Sequence, residues 1–212
     1  MSETAEREQI TVYSDYVCPF CYLGRHSLQE YQESREEELA IEWHPFDLRA
    51  QKRDADGTID HSVDDGKDDD YYEQARQNVR RLQEEYDVEM DLEIATDVDS
   101  LPAQVASVHV QEAYDYETWR DFDWAVFEAL WTEGRDIGDS DVLADIAEGT
   151  GVNPDDVRAA LDDDDLFDRV HALFNEAHQQ GVTGVPTFAY DGYGARGAVP
   201  PAQLKRLVEG VE

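Results

Sequence analysis

Basic residues are scarce: 17 Lys and Arg stand against 51 Asp and Glu, a formal net charge of −34 over 212 residues. Binding to nucleic acid or to an anionic membrane surface draws on clustered Lys and Arg, so neither partner is expected. No apolar run approaches the roughly 20 residues that span a bilayer, and none follows a basic segment near the start, so a soluble cytoplasmic protein is expected. Cysteine is scarcer still, with only Cys18 and Cys21. A disulfide between them closes a tiny loop and removes little unfolded-state entropy, which makes a purely structural staple a poor explanation. A closed zinc site needs four ligands, yet there is no second Cys-x-x-Cys, and His26, His44, His61, His109, His171 and His178 show no ligand spacing. Neither a metal nor a cofactor is expected.

The acidic residues run along the whole chain rather than in one tail, a pattern of halophilic character. Self-repulsion on such a surface weakens a fold at low ionic strength, and molar salt, with a Debye length of about 3 Å, relieves it. Four Trp, eleven Tyr and seven Phe, together with clear amphipathic patterns, argue against a disordered acidic polymer. The length suits one substantial domain, or a small domain carrying a large insertion.

Gln9 to Ser14 is a short β-branched and aromatic run that predicts a buried strand leading to Cys18. From Pro19 a helical pattern follows, with Leu23, Leu28 and Tyr31 as its apolar stripe, and Leu39 to Phe46 predicts a second strand. This β-α-β order favours parallel pairing. Arg49 to Asp70 is polar and predicts an exposed loop and a possible hinge. Helical signals then dominate to Gly181. Tyr71, Ala75, Val79, Leu82 and Tyr86 mark one helix, Ser100 with Pro102 opens another, and Phe122, Val126, Ala129 and Leu130 mark the face of a third that stops near Gly134. Asn153-Pro154 starts a helix read through Leu166, Val170, Leu173 and Ala177 to Gly181. The alternating Val88, Met90, Leu92 and Ile94 are too short and acidic to count as more than a loop or edge segment. Val185 to Tyr190 predicts a strand, Asp191-Gly192 a turn, the run toward Val199 a partner strand, and Pro200-Pro201 the start of a last helix through Leu204, Leu207 and Val208. The fold class is α/β: the plan is a thioredoxin-like fold with a large all-helical insertion between its β-α-β and β-β-α halves. Residues 8–55 and 181–210 form the discontinuous thioredoxin-like domain, and 56–180 the inserted helical domain.

Pro19 biases Cys18 away from helical dihedrals while fitting the first helical turn, which makes Cys18 the N-cap. There its sulfur can face the N–H groups of Phe20 and Cys21 and the positive end of the helix dipole, which favour thiolate over thiol. Lowering a thiol pKa from about 8.5 to about 6 raises the thiolate fraction at pH 7 about thirtyfold. Cys21, one helical turn on, is placed to resolve a mixed disulfide and should be the less exposed thiol.

Cys18-Pro-Phe-Cys-Tyr-Leu-Gly24, Trp43-His-Pro-Phe-Asp-Leu48, Phe127-Glu-Ala-Leu-Trp131 and Gly181-Val-Thr-Gly-Val-Pro-Thr-Phe188 together resemble the DsbA-like thiol oxidoreductases, specifically the cytoplasmic FrnE-type branch, over about residues 9 to 208. The resemblance implies a dithiol–disulfide oxidoreductase that acts on thiol- or disulfide-containing proteins or small molecules and is reset by an external thiol or redox partner. Cys18 would be the nucleophile and Cys21 the resolving cysteine. Pro19, Phe20 and Pro186 would shape the site, with a cis Val185–Pro186 bond facing the cysteines, and Val185 and Thr187 would bind substrate. The best-known oxidising members carry a histidine where this chain has Phe20, which cannot donate to sulfur; with the negative surface, this predicts a milder oxidant.

Two other functions remain in view. Glutathione-dependent isomerases of the 2-hydroxychromene-2-carboxylate and kappa-transferase type share the fold, though a serine usually stands at the position of Cys18 there, and glutathione is itself anionic. A non-catalytic binding module would use the helical insertion to dock a partner. Trp43, Trp119, Trp124 and Trp131 are read as packing residues; Tyr16 and Tyr22, which flank the motif, fit a role in the substrate groove and aromatic packing equally well, and His44 is read as a core or surface residue rather than one near the site.

Overall fold

A computed structural model describes residues 8–54, 57–60, 62–63, 66–91 and 97–210. Strand β1 (Gln9–Ser14) leads into helix α1 (Pro19–Glu33) and returns as β2 (Ala40–Pro45), which pairs with β1 in parallel from Gln9 opposite Ala40 to Ser14 opposite Pro45. Helices α2 (Asp69–Tyr86), α3 (Leu101–Ala113), α4 (Tyr116–Trp131), α5 (Ser140–Thr150), α6 (Pro154–Leu161) and α7 (Asp164–Gln179) follow before the chain re-enters the sheet. There β3 (Thr187–Tyr190) runs antiparallel to β1, and β4 (Tyr193–Arg196) pairs with β3, giving the order β2-β1-β3-β4. Asp191 and Gly192 both take positive φ, 47° and 80°, as a tight hairpin turn requires. Helix α8 (Pro201–Glu209) closes the chain. This is the thioredoxin-like fold with helices α2 to α7 inserted between its halves.

The period-2 alternation of β1 divides the core. Ile10 and Val12 pack under α1 and α8 with Leu28, Tyr31, Phe188, Leu204 and Val208, whereas Tyr13 lies with Phe46, Ala177 of α7 and Val182. A third and larger cluster joins the cysteine segment to the insertion: Tyr16, Cys18, Cys21, Tyr22 and Trp43 are continuous with Val79, Val105, Trp119, Phe127, Trp131 and Phe174. The inserted helices thus share one apolar core with the segment that carries the thiols.

Three readings of the sequence are corrected. The helix begun at Asn153-Pro154 does not continue to Gly181. It stops at Leu161, and Asp163 caps a new helix by accepting from the N–H groups of Asp165 and Leu166, because a capping aspartate competes well with continuation through an acidic run. The stretch from Arg49 is not a free hinge. A 3-10 turn at Ala50–Lys52 brings Arg53 inward, where it is 6% exposed and bonds Asp47 at 2.6 Å and Asp99 at 2.8 Å, and Arg49 donates to the Val98 carbonyl. Helix α5 has no counterpart in the expected elements; Asp139 caps it and Gly151 ends it with φ 82°. Val88–Asp91 form no strand, and Leu92 and Ile94 lie outside the described residues.

Candidate active site

Cys18 is the N-cap of α1, with φ −92° and ψ 113°, and Pro19 occupies the first helical position. Its carbonyl accepts from Cys21 N at 2.9 Å, and its own N–H bonds the Asp15 carbonyl at 3.1 Å. The sulfur does not take up the expected bond to the helix N–H groups: no side-chain capping bond forms, and the Cys18 thiol instead donates to the Val185 carbonyl across a 3.6 Å gap. The helix dipole still points at it.

Both cysteines are free thiols. Cys18 is 5% exposed and Cys21 fully buried. Burial pushes the Cys21 thiol well up, and hydrogen bonding to the Cys18 thiol and the Cys18 charge push it further. Cys21 therefore holds its proton.

The Val185–Pro186 peptide bond is cis, and it sets the Val185 carbonyl against the Cys18 sulfur. Gly24 lets α1 approach this loop: a Cβ there would meet Pro186 Cγ and a Phe188 ring carbon at 3.1 Å each. Pro186 is further held by its carbonyl accepting from Gly197 N at 2.8 Å. Thr187 of β3 lies opposite Tyr13 of β1, and its hydroxyl donates to the Gly184 carbonyl at 2.7 Å, so that side chain closes the turn. Phe20 is half-buried against the main cluster and presents hydrocarbon, not a donor, beside the thiols. The structure thus brings Cys18, Pro19, Cys21, Val185 and Pro186 together, flanked by Phe20.

Sequence reasoning missed the polar residues behind the thiols. Asp15 is fully buried; its carboxylate accepts from Leu48 N at 2.9 Å and Val17 N at 3.3 Å, tying the Trp43-His-Pro-Phe-Asp-Leu48 segment to the cysteine loop. Burial pushes its pKa up to about 6, against the opposing pull of hydrogen bonds from Ser100 and Leu48. Tyr16 donates to Asp123 at 2.9 Å, Asp123 is paired with Arg25, and Trp131 Nε1 donates to the Tyr16 carbonyl at 2.8 Å. Trp131 thus has a fastening role beyond packing. Trp43 donates to Ser14 at 2.8 Å and faces Tyr16, and His44 lies against the Tyr13 ring. The only hint of these roles in the sequence was the polar type of Asp15 inside a mostly apolar run.

A raised folded-state pKa for Asp15 means that the native protein keeps a proton the unfolded chain has already lost. Its contribution is fully present below about pH 4, falls as pH rises, and by pH 7 has dropped by about 3 kcal/mol, two units at about 1.4 kcal/mol each. Asp15→Asn cannot titrate. Denaturant unfolding of both proteins at constant molar salt should show the wild type losing about that much relative to the variant between pH 4 and pH 7, whereas a pH-independent difference would place Asp15 in an ordinary carboxylate environment.

Among the described residues no group of His, Cys, Asp and Glu is arranged to hold a metal ion, and no helix is long and apolar enough to cross a membrane. A cavity of about 510 Å³ lies between α1 and α4, lined by Arg25, Leu28, Tyr116 and Trp124 and by neither cysteine.

A thiol pair at a helix N-terminus, opposite a cis-proline loop in a thioredoxin-like sheet, defines the class of thioredoxin-fold dithiol proteins. Within that class, the chain belongs to the DSBA-like thioredoxin domain family, which matches residues 9–209. It is 29% identical over 180 residues to YwbO of Bacillus subtilis (strain 168), covering 84% of each chain. Among solved structures it is similar to a probable DsbA oxidoreductase from Streptomyces coelicolor, with 22% identity, a TM-score of 0.73, and 96% and 91% of the two chains covered. A 2-hydroxychromene-2-carboxylate isomerase gives 18%, 0.69, and 90% and 89%. The cytosolic disulfide reductase DsbM from Pseudomonas aeruginosa, solved with GSH, gives 17%, 0.61, and 88% of each chain. At these identities the structures establish the shared fold.

Proposed function

We propose that the protein is a dithiol–disulfide oxidoreductase working through Cys18-Pro-Phe-Cys21. The Cys18 thiolate attacks one sulfur of a substrate disulfide; the substrate S–S bond breaks, a Cys18–substrate disulfide forms, and the other substrate sulfur leaves as a thiolate and takes up a proton. Cys21 then loses its proton and attacks Cys18 Sγ, releasing the second substrate thiol and leaving a Cys18–Cys21 disulfide. Two electrons have passed to the substrate, and an external thiol or redox partner returns them; run backwards, the same steps oxidise a substrate dithiol. The observation that carries the reading is the asymmetric pair itself: a buried Cys21 that keeps its proton beside a Cys18 that meets both the helix N-terminus and the cis-proline loop.

Substrate, a protein segment or a small thiol, would lie along Val185 ahead of β3, where an extended chain can pair with the backbone. Thr187, with its hydroxyl committed to Gly184, would act through its backbone. No resident cofactor is needed, because the cysteine pair carries the electrons. The likeness to a cytosolic reductase supports a cytoplasmic site of action. With Phe20 between the cysteines, the couple should be a milder oxidant than the strongest members, whose potential is about −120 mV.

Equilibration in glutathione redox buffers at molar salt tests this. A single two-electron transition between dithiol and intramolecular disulfide, at a potential below about −120 mV, is expected. A protein that stays in the dithiol form at every ratio would refute the reading.

A further inference from the structure

Two helical turns behind Cys18, on the same face of α1, Arg25 is buried with 4% of its side chain exposed and is paired with Asp123 of α4, which is wholly buried. The second oxygen of Asp123 accepts from Tyr16, two residues before Cys18. Nothing in the exchange chemistry uses these groups, yet a buried ion pair is costly to keep and many such pairs can be exchanged for apolar residues without loss.

We infer that Asp123 is a positioning residue that sets the ionisation of Cys18, by neutralising Arg25 and by holding Tyr16 in the loop that leads into the thiol. The Arg25 guanidinium on its own would favour the Cys18 thiolate. Seven residues of helix separate the two Cα atoms by about 10 Å. At an effective dielectric constant of about 20, one uncompensated charge at that distance is worth about one pKa unit. Asp123 cancels most of that field and so keeps the couple mild.

Glu38, Asp121 and Glu128, all exposed, and the half-buried Arg120 line the same cavity as Arg25, where solvent screens them far more than the wholly buried Asp123. Around Arg25, burial pushes Tyr16 and Tyr116 up, which keeps them neutral, while burial and the Arg25 charge push His26 down to about 4. Around Cys18 stand Cys21, which keeps its proton, and Asp15 in the preceding loop, both unchanged by a substitution on α4.

The inference deepens the oxidoreductase reading, but thiol ionisation is measurable without turnover, so the two can fail separately. In a Cys21→Ala background, where Cys18 is the only thiol, the pH dependence of iodoacetamide alkylation gives the Cys18 pKa. Asp123→Asn should lower it by about one unit, Arg25→Met should not lower it, and the charge-free Arg25→Met/Asp123→Leu pair should leave it within a few tenths. The double variant leaves no unpaired ion and so remains informative if a single variant does not fold. An unchanged or raised pKa in Asp123→Asn, a fall in Arg25→Met, or a full-unit shift in the double variant would overturn the inference. A purely structural role would move both single variants in the same direction.

Discussion

Replacing Cys18 by alanine should abolish thiol–disulfide exchange, by about a thousandfold or more, while leaving the fold intact. The nucleophile is lost outright, and Cys21 cannot stand in for it: it is fully buried, and that burial, the largest cause of its raised thiol pKa, persists without Cys18. The substitution removes a small side chain at the rim of the core, 5% exposed, so stability should change little. Replacing Cys21 by alanine should have a different signature, since attack on a substrate disulfide survives and only release fails. Turnover of a peptide disulfide followed by thiol release separates the two. Cys18→Ser also separates the alternatives, because a glutathione-dependent isomerase can tolerate serine at this position, and a binding module would keep its partner with either residue.

Replacing Arg53 by methionine should destabilise the protein by about 3–5 kcal/mol, because it leaves Asp47 as an unpaired buried carboxylate. The side chains of Arg53 and Asp47 are 6% and 2% exposed, and the guanidinium also bonds both oxygens of Asp99, at 2.8 and 2.9 Å. The damage should reach the cysteines, since Asp47 precedes Leu48, whose N–H bonds Asp15 in the loop before Cys18. Denaturant midpoints at constant molar salt measure the loss. The double variant Arg53→Met/Asp47→Asn should recover part of it by removing the stranded charge. A loss under about 0.5 kcal/mol, as for an exposed surface residue, would mean that the stretch is the free loop its composition suggested.

The sheet and the thiol pair were legible because their determinants are local. Gln9 to Ser14 and Val185 to Tyr190 carry β-branched and aromatic residues at short range, and Cys18-Pro-Phe-Cys21 writes an N-cap and two thiols into one helical turn. Pro186 lies far from Cys18 along the chain and was reached through a resemblance to a known family, not through spacing. What stayed hidden depends on distant partners. Arg53 reads as one more polar residue until Asp47 and Asp99 close around it, and Asp123 looks like any helix aspartate until Arg25 and Tyr16 meet it inside the core. The break at Asp162-Asp163 was missed for the opposite reason: in so acidic a chain, one capping aspartate does not stand out from its neighbours. The expected bond between the Cys18 sulfur and the helix N–H groups does not form, and the thiol donates instead to the Val185 carbonyl, a partner far along the chain that no local pattern shows.

Trapping the mixed disulfide is the most direct test. The Cys21→Ala protein is mixed in molar salt with a peptide disulfide and read by intact mass and peptide mapping. The wild type should pass through the adduct and end about 2 Da lighter than the dithiol, as the Cys18–Cys21 disulfide. The variant should stop at a covalent adduct on Cys18 that dithiothreitol removes. A folded Cys21→Ala protein that forms no adduct, together with a wild type that never gains an internal disulfide, would contradict the proposal that these two thiols are a redox pair.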